Sequence, residues 1–443
     1  MRSCLVCIAA SLSLASPTLG EGDSARFEVA YSEKLDAATF LNAISDEPRF
    51  NGPWKAVRET WRPKIEADPE AAPAFSRWLG RGIQLAYLLS ILPEEDLDGV
   101  INRLEAPDDA LAAIEAGIDE PAYLRVFEDL EKDVEGVRTI LTFLKREGFA
   151  EVRSKKLDAL PLLARVWLDD LRDRRYAAQL ASWIETFTGR SIPDRCMRIY
   201  VLVFAQPLSF QLAGFAVGWS SDPTNANGIL VHEFLHKFNP SAANVELMEH
   251  LAKEDDFYRD AFDRIYGEFH EGREEEFVEA AARHVIERMW PCRVRNLRSM
   301  KFEFFSEKTR VGGVPLAAIL YEELGKAQVG PGRFDYNTFL GRALGDLKPG
   351  TIEERYLQVL RPVAGTAGMV IRENGSIERV FEGFPAADAG LRAGDMLLQV
   401  NAVDVAGWSR EEVLDRLAGE PGKQIDLLVR RGNDEVRVSF KLR

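Results

Sequence analysis

The sequence predicts an α+β chain: a mostly helical amino-terminal and central part with a small β-sheet, followed by a separate β-rich domain. Three observations predict it. Apolar residues recur at three- and four-residue spacing from about residue 22 to 190. Two β-branched and aromatic runs follow Pro193. Beyond residue 363, short strand-like runs alternate with glycine-bearing turns. At 443 residues the chain exceeds one typical core, so several domains are expected.

The first twenty residues have the pattern of a cleavable targeting segment. Arg2 is a short positive start, Leu5 to Leu14 is apolar or small, and Ala15, Ser16 and Gly20 offer cleavage sites. Residues 1–20 are therefore expected to be a signal peptide, and the mature protein to be exported, periplasmic or extracellular. No other stretch is long and apolar enough to cross a bilayer, so no integral membrane segment is expected in the mature chain. The formal net charge of −15 argues against a nucleic-acid partner and against docking on anionic lipid.

Residues 21–195 are expected to form a helical region, with helices over Asp36 to Ile44, Ala74 to Leu92, Leu124 to Glu147 and Leu160 to Thr188. Its charge runs read as solvated helix faces. Residues 196–350 form the expected catalytic region. It opens with strands from Arg198 to Gln206 and from Gln211 to Trp219, joined through Pro207-Leu208-Ser209.

His232-Glu233-Phe234-Leu235-His236 follows. The chain has five histidines, all between positions 232 and 284. Residues four apart share one helix face, so His232 and His236 can both reach one Zn2+. Glu233 between them can hold and deprotonate a metal-bound water. Ile229, Leu230, Val231, Phe234, Leu235 and Phe238 surround the polar trio, which predicts a buried helix, and Asn239-Pro240 stops it. A catalytic zinc usually takes a third protein ligand. The stretch Glu274 to Val285 supplies three successive glutamates, which also suit a helix amino terminus.

This motif, followed by a helix bearing a glutamate and paired apolar residues, resembles the gluzincin zinc peptidases, of which thermolysin is the familiar member. In that pattern the ligand glutamate has apolar residues at +1, +2, +5 and +6. Glu276 meets this with Phe277, Val278, Ala281 and Ala282. The pattern also has an acidic residue at +4, where Glu276 has Ala280 and Glu275 has Glu279. The apolar pattern favours Glu276 over Glu275 as third ligand. The resemblance implies a zinc peptidase with Glu233 as proton carrier and a Tyr or His steadying the oxyanion. Tyr258, Tyr266, His270 and His284 are the candidates. The segment also resembles, more loosely, a bacterial family known only as a domain of unknown function. The G-x-M-E-N signature of aminopeptidase gluzincins is absent, so their free-amine specificity is not implied.

Loss of the leader removes Cys4 and Cys7 and leaves Cys196 and Cys292. Either they bridge, closing a long loop at a gain of about 4–5 kcal/mol, or they are two buried thiols.

The run Pro385-Ala386-Ala387-Asp388-Ala389-Gly390-Leu391-Arg392-Ala393-Gly394-Asp395, continuing through Met396 to Asn401, closely resembles the PDZ domains of bacterial exported proteases. Residues 363–443 are assigned to this domain, as a β-sandwich or partly open barrel. The resemblance implies capture of a peptide C-terminus by strand addition. Thr366, Ala367, Gly368 and Met369 would face its carboxylate, and Ile371, Val413 and Leu417 its apolar side chain. The expected whole is an exported zinc peptidase acting on peptides or proteins. The rivals are an inactive PDZ adaptor on a peptidase-like body, and a different zinc hydrolase.

Overall fold

A computed structural model describes residues 25–171, 174–206, 208–220, 226–268, 272–289, 314–360 and 367–442, apart from 373, 382, 409 and 418–421. The expected signal peptide 1–20, and with it Cys4 and Cys7, lies outside the described residues, as do His270, Cys292 and Thr366. The chain forms two compact units, one of residues up to 182 with 191–224, the other of 183–190 with 225 onward. No described helix is long and apolar enough to cross a membrane.

The first unit begins with strand β1 (Arg26–Ala30) and helix α1 (Glu33–Ala43), and its helices continue to α11 (Arg174–Thr188). Strands β2 (Cys196–Leu202), β3 (Phe210–Leu212) and β4 (Ala216–Ser220) follow. The sheet order is β1-β2-β4-β3. β1 and β4 run parallel to β2, and β3 is antiparallel to β4. β1 is an addition to the helical reading of this region, because five residues carry too little alternation to stand out.

Several expected helices are pairs. The stretch 74–92 divides into α3 (Ala71–Trp78) and α4 (Gly82–Ser90). Gly80 stands between them at φ +80°, a left-handed conformation that glycine adopts without strain. The stretch 124–147 breaks at Asp133, whose carboxylate accepts the Trp78 indole N–H at 3.0 Å. The expected strand 211–219 is two strands turned at Gly214, φ +66°, with Leu212 paired to Ala216.

α1 is buried from Lys34 to Ala43. Its charges are therefore bound internally. Asp36 accepts from Val203 N at 2.8 Å and Arg153 Nε at 2.7 Å. Burial outweighs these partners and lifts its pKa to about 6. Lys34 Nζ donates to the Leu92 carbonyl, and burial lowers its pKa to about 8. Cys196 is a free thiol beside Glu28 Oε2.

The second unit carries α12 (Ala226–Leu235), α13 (Ala242–Glu254), α14 (Asp256–Phe262) and a π-helical segment, Asp263–Glu268. α15 (Glu275–Met289), α16 (Pro315–Lys326), α17 (Tyr336–Gly345) and α18 (Ile352–Leu360) complete its helical part. α15 packs against both α12 and α16.

The C-terminal β-domain has strands β5 (Met369–Ile371), β6 (Ile377–Val380), β7 (Met396–Val400), β8 (Val403–Asp404), β9 (Gln424–Arg431) and β10 (Asp434–Lys441). Between them lie short helices α19 (Pro385–Asp388) and α20 (Arg410–Leu417). One sheet has the order β10-β9-β7-β8 and the other pairs β5 with β6, so the strands do not close into a barrel. Ile371, Leu391, Val400, Val413, Leu417 and Ile425 share its core.

Gly368, just before β5, has φ +70°, and a Cβ there would lie 2.0 Å from Phe384 Cβ. Gly368→Ala is therefore expected to destabilise this domain by about 2–4 kcal/mol through backbone strain and overpacking. Denaturant unfolding followed by a domain-specific probe checks it.

Candidate metal centre

α12 turns Leu230, Val231, Phe234 and Leu235 inward and leaves His232, Glu233 and His236 partly exposed. The helix ends at Leu235, yet the His236 amide still donates to the His232 carbonyl at 3.3 Å. The two imidazoles therefore stand one turn apart on the same face. Their Nε2 atoms approach to 3.0 Å.

α15 supplies the acid opposite them. Glu275 Oε1 lies 3.6 Å from His232 Nε2, and Oε2 lies 3.4 Å from His236 Nε2. Tetrahedral ligands about 2.0–2.1 Å from zinc are about 3.3 Å from one another. The three separations straddle that value. His232, His236 and Glu275 thus form a cluster geometrically able to coordinate one metal ion.

The far side of each ring is also fixed. His232 Nδ1 lies 3.2 Å from Glu279 Oε2, and His236 Nδ1 lies 3.2 Å from Glu274 Oε1. A carboxylate on Nδ1 favours the tautomer that carries its proton there and leaves the Nε2 lone pair for a metal. Two lone pairs at 3.0 Å repel unless a cation or a proton lies between them. The proton competes well. Burial alone would lower the His232 pKa, but Glu275, Glu279 and Glu233 together hold it well above the usual imidazole range. Burial acts on Glu275 in the opposite sense, and the two imidazoles still keep its pKa below the ordinary carboxylate value.

Glu276, the third ligand expected from the apolar pattern, faces the other way. Its Oε2 accepts from Tyr258 OH at 2.6 Å and Tyr266 OH at 3.4 Å. Its Oε1 accepts from Leu316 N at 3.0 Å, in the first turn of α16. Consecutive helical residues point about 100° apart, so only one of the two glutamates can face α12. Burial pushes the Glu276 pKa up to about 7 against the lowering effect of Tyr258, the α16 amides and Tyr266. Glu276 thus caps the start of α16 from within, and Glu275 is the carboxylate of the cluster able to hold a metal.

Tyr258 and Tyr266 are buried, with both hydroxyls directed to Glu276. His284 Nε2 bonds the Val329 carbonyl at 2.9 Å, and its ring meets Trp183 edge-on. The hydrogen bonds of these three side chains go to Glu276, Met248 and Val329 rather than to His232, His236 or Glu275. Glu274 carried no role in the sequence. Glu279 stood out only as the acid four after Glu275.

The comparisons with known proteins bear on the C-terminal part. The family model described as "PDZ domain" matches residues 376–431. The C-terminal domain is a PDZ domain. Among characterised proteins, the chain is 34% identical over 91 residues to the Na(+)/H(+) exchange regulatory cofactor NHE-RF2 of Mus musculus, covering 20% of this chain and 27% of that protein. It is 42% identical over 59 residues to the Oryctolagus cuniculus protein of the same name, covering 13% and 19%. The chain thus spans about a quarter or less of these relatives. Among solved structures, an aminopeptidase N family protein from Idiomarina loihiensis aligns over 60% of this chain and 62% of its own. Its identity is 13% and its TM-score 0.27, too slight a likeness to argue from.

In the PDZ domain, β5 pairs with β6 and has no further partner strand among the described residues. Of the residues expected to line a peptide pocket, Ile371, Val413 and Leu417 are buried in the core, as is Ala367, while half-buried Met369 packs against it. Thr366 and Cys292, the cysteine whose bridge to Cys196 the sequence leaves open, lie outside the described residues.

The two neighbouring glutamates are expected to separate by experiment. Glu275→Ala should lower metal occupancy with little loss of stability in the metal-free protein. Glu276→Ala should cost about 2–4 kcal/mol in stability, because it leaves a cavity and unpaired hydroxyls. Metal analysis and thermal unfolding of the two variants, side by side, check this.

Proposed function

We propose that this chain is a zinc-dependent peptidase acting on peptide or protein substrates, with a PDZ domain that recruits them. The observation that carries the reading is the convergence of His232 Nε2, His236 Nε2 and Glu275 on one point, with Glu233 beside them on the same helix. A His2Glu set is one of the ligand sets of catalytic zinc. A zinc ion held there would polarise a carbonyl and make bound water acidic near neutral pH.

The chain's own residues would do the rest. His232, His236 and Glu275 hold the ion, and Glu274 and Glu279 keep both rings turned toward it. Glu233 takes the proton of the attacking water and delivers it to the leaving amine. A purely structural zinc site has no use for such a residue. The PDZ domain would capture an apolar peptide C-terminus along the open edge of β5 and raise the local concentration of substrate. The signal-like segment at residues 1–20 supports export to the periplasm or beyond.

The rival reading, a PDZ adaptor on an inactive body, draws on the regulatory cofactors matched by the PDZ segment. Glu233→Gln separates the two. It is expected to keep about one zinc per chain while losing peptide hydrolysis by a factor of 100 or more. Full activity in that variant would remove the mechanism, and absence of hydrolysis in the wild type would favour the adaptor.

For the PDZ domain, a peptide with an apolar C-terminal residue and a free carboxylate should bind more tightly than its C-terminal amide. Calorimetric titration with both peptides tests this, and equal affinity would rule out carboxylate capture.

A further inference from the structure

α15 carries one more member of the metal-site cluster. Glu275, Glu279 and Arg283 stand at successive four-residue steps, so their side chains follow one another along one face. Glu279 Oε2 meets His232 Nδ1 at 3.2 Å, and its Oε1 accepts from Arg283 Nε at 2.7 Å. The Arg283 side chain is only 6% exposed and that of Glu279 15%. A buried guanidinium is ordered only where its partners repay its desolvation.

Glu279 needs this partner. It shares a helix face with Glu275, one turn away, and like charges at that spacing repel. Glu233 lies on the neighbouring helix beside His232. Without this cation, like-charge repulsion would turn Glu279 away from Glu275. That turn removes the acceptor that orients His232.

We infer that Arg283 is a positioning residue of the metal centre: it anchors Glu279 so that Glu279 can aim His232 Nε2 at the ion. The inference rests on the metal-centre reading above and extends it one residue further from the ion.

The expected effect has a distinctive sign. By Coulomb attraction alone, removing a positive side chain near a dication should tighten metal binding. Loss of positioning should weaken it. Substitutions among the hydrogen-bonding partners of metal ligands typically cost 10- to 100-fold in affinity. Arg283 acts through such a partner, so about tenfold is expected.

The test measures zinc affinity of the full chain by competition with a chromophoric chelator at fixed pH. The variants are Arg283→Met, Arg283→Lys, Glu279→Gln and the Arg283→Met/Glu279→Gln double variant. Arg283→Met should weaken zinc binding about tenfold, and Arg283→Lys should restore most of the loss. In the Glu279→Gln background the same change should have less than about a twofold effect, because the charge that Arg283 holds is gone. Circular dichroism of the metal-free variants checks folding. If Arg283→Met does not fold, Arg283→Gln replaces it with the same expectation. Unchanged or tighter zinc binding without the guanidinium would overturn the inference, as would an equal loss in both backgrounds. A wild-type chain that takes up no zinc would overturn the metal-centre reading as well.

Discussion

The convergence of two imidazole Nε2 atoms on one carboxylate is the constraint on which the pairing of α12 with α15 depends. Charged groups largely withdrawn from water are costly unless each has a partner. Here every member has one: the histidines hold Glu275 on one side and Glu274 or Glu279 on the other, and Arg283 holds Glu279. Placing so many carboxylates together is unfavourable without compensating positive charge. Against burial, the acids raise the pKa of both imidazoles and so favour positive charge on them, and a divalent cation would supply it more fully through the same nitrogens.

The helix period then divides the work between two adjacent glutamates. Glu275 faces α12, whereas Glu276 turns into the core toward Tyr258, Tyr266 and the first turn of α16. Its carboxylate satisfies an amide at that helix start, where negative charge also suits the dipole. The Glu276 side therefore braces α15 while the Glu275 side presents it. Tyr258 and Tyr266 both donate to the carboxylate that does this bracing.

The helix carrying His232 and His236 was legible because its polar trio stands in an apolar stretch, and spacing alone places both rings on one face. The PDZ domain was legible because glycine turns and a long specific run mark it. The sequence pattern and the structure favour different glutamates for a physical reason. The apolar pattern around Glu276 records which residues of α15 are buried, but Glu276 is itself buried and serves that core. The informative signal was Glu279, four residues after Glu275, since one helix face must carry both the acid that meets a metal and the acid that turns the ring. Gly80, Asp133 and Gly214 broke elements that hydropathy alone read as continuous. Such breaks depend on single backbone conformations, and they disappear when periodicity is averaged over a long window.

The proposed function requires one zinc ion between α12 and α15, held by two imidazoles and one carboxylate. X-ray absorption of the stoichiometrically zinc-loaded full chain measures that coordination directly. The expected result is a shell of nitrogen and oxygen at about 2.0–2.1 Å, with the outer scattering of two imidazoles and no sulfur. In Glu275→Ala the two imidazoles should remain while the oxygen contribution changes. A shell with sulfur at about 2.3 Å, or an oxygen shell without imidazole scattering, would contradict it.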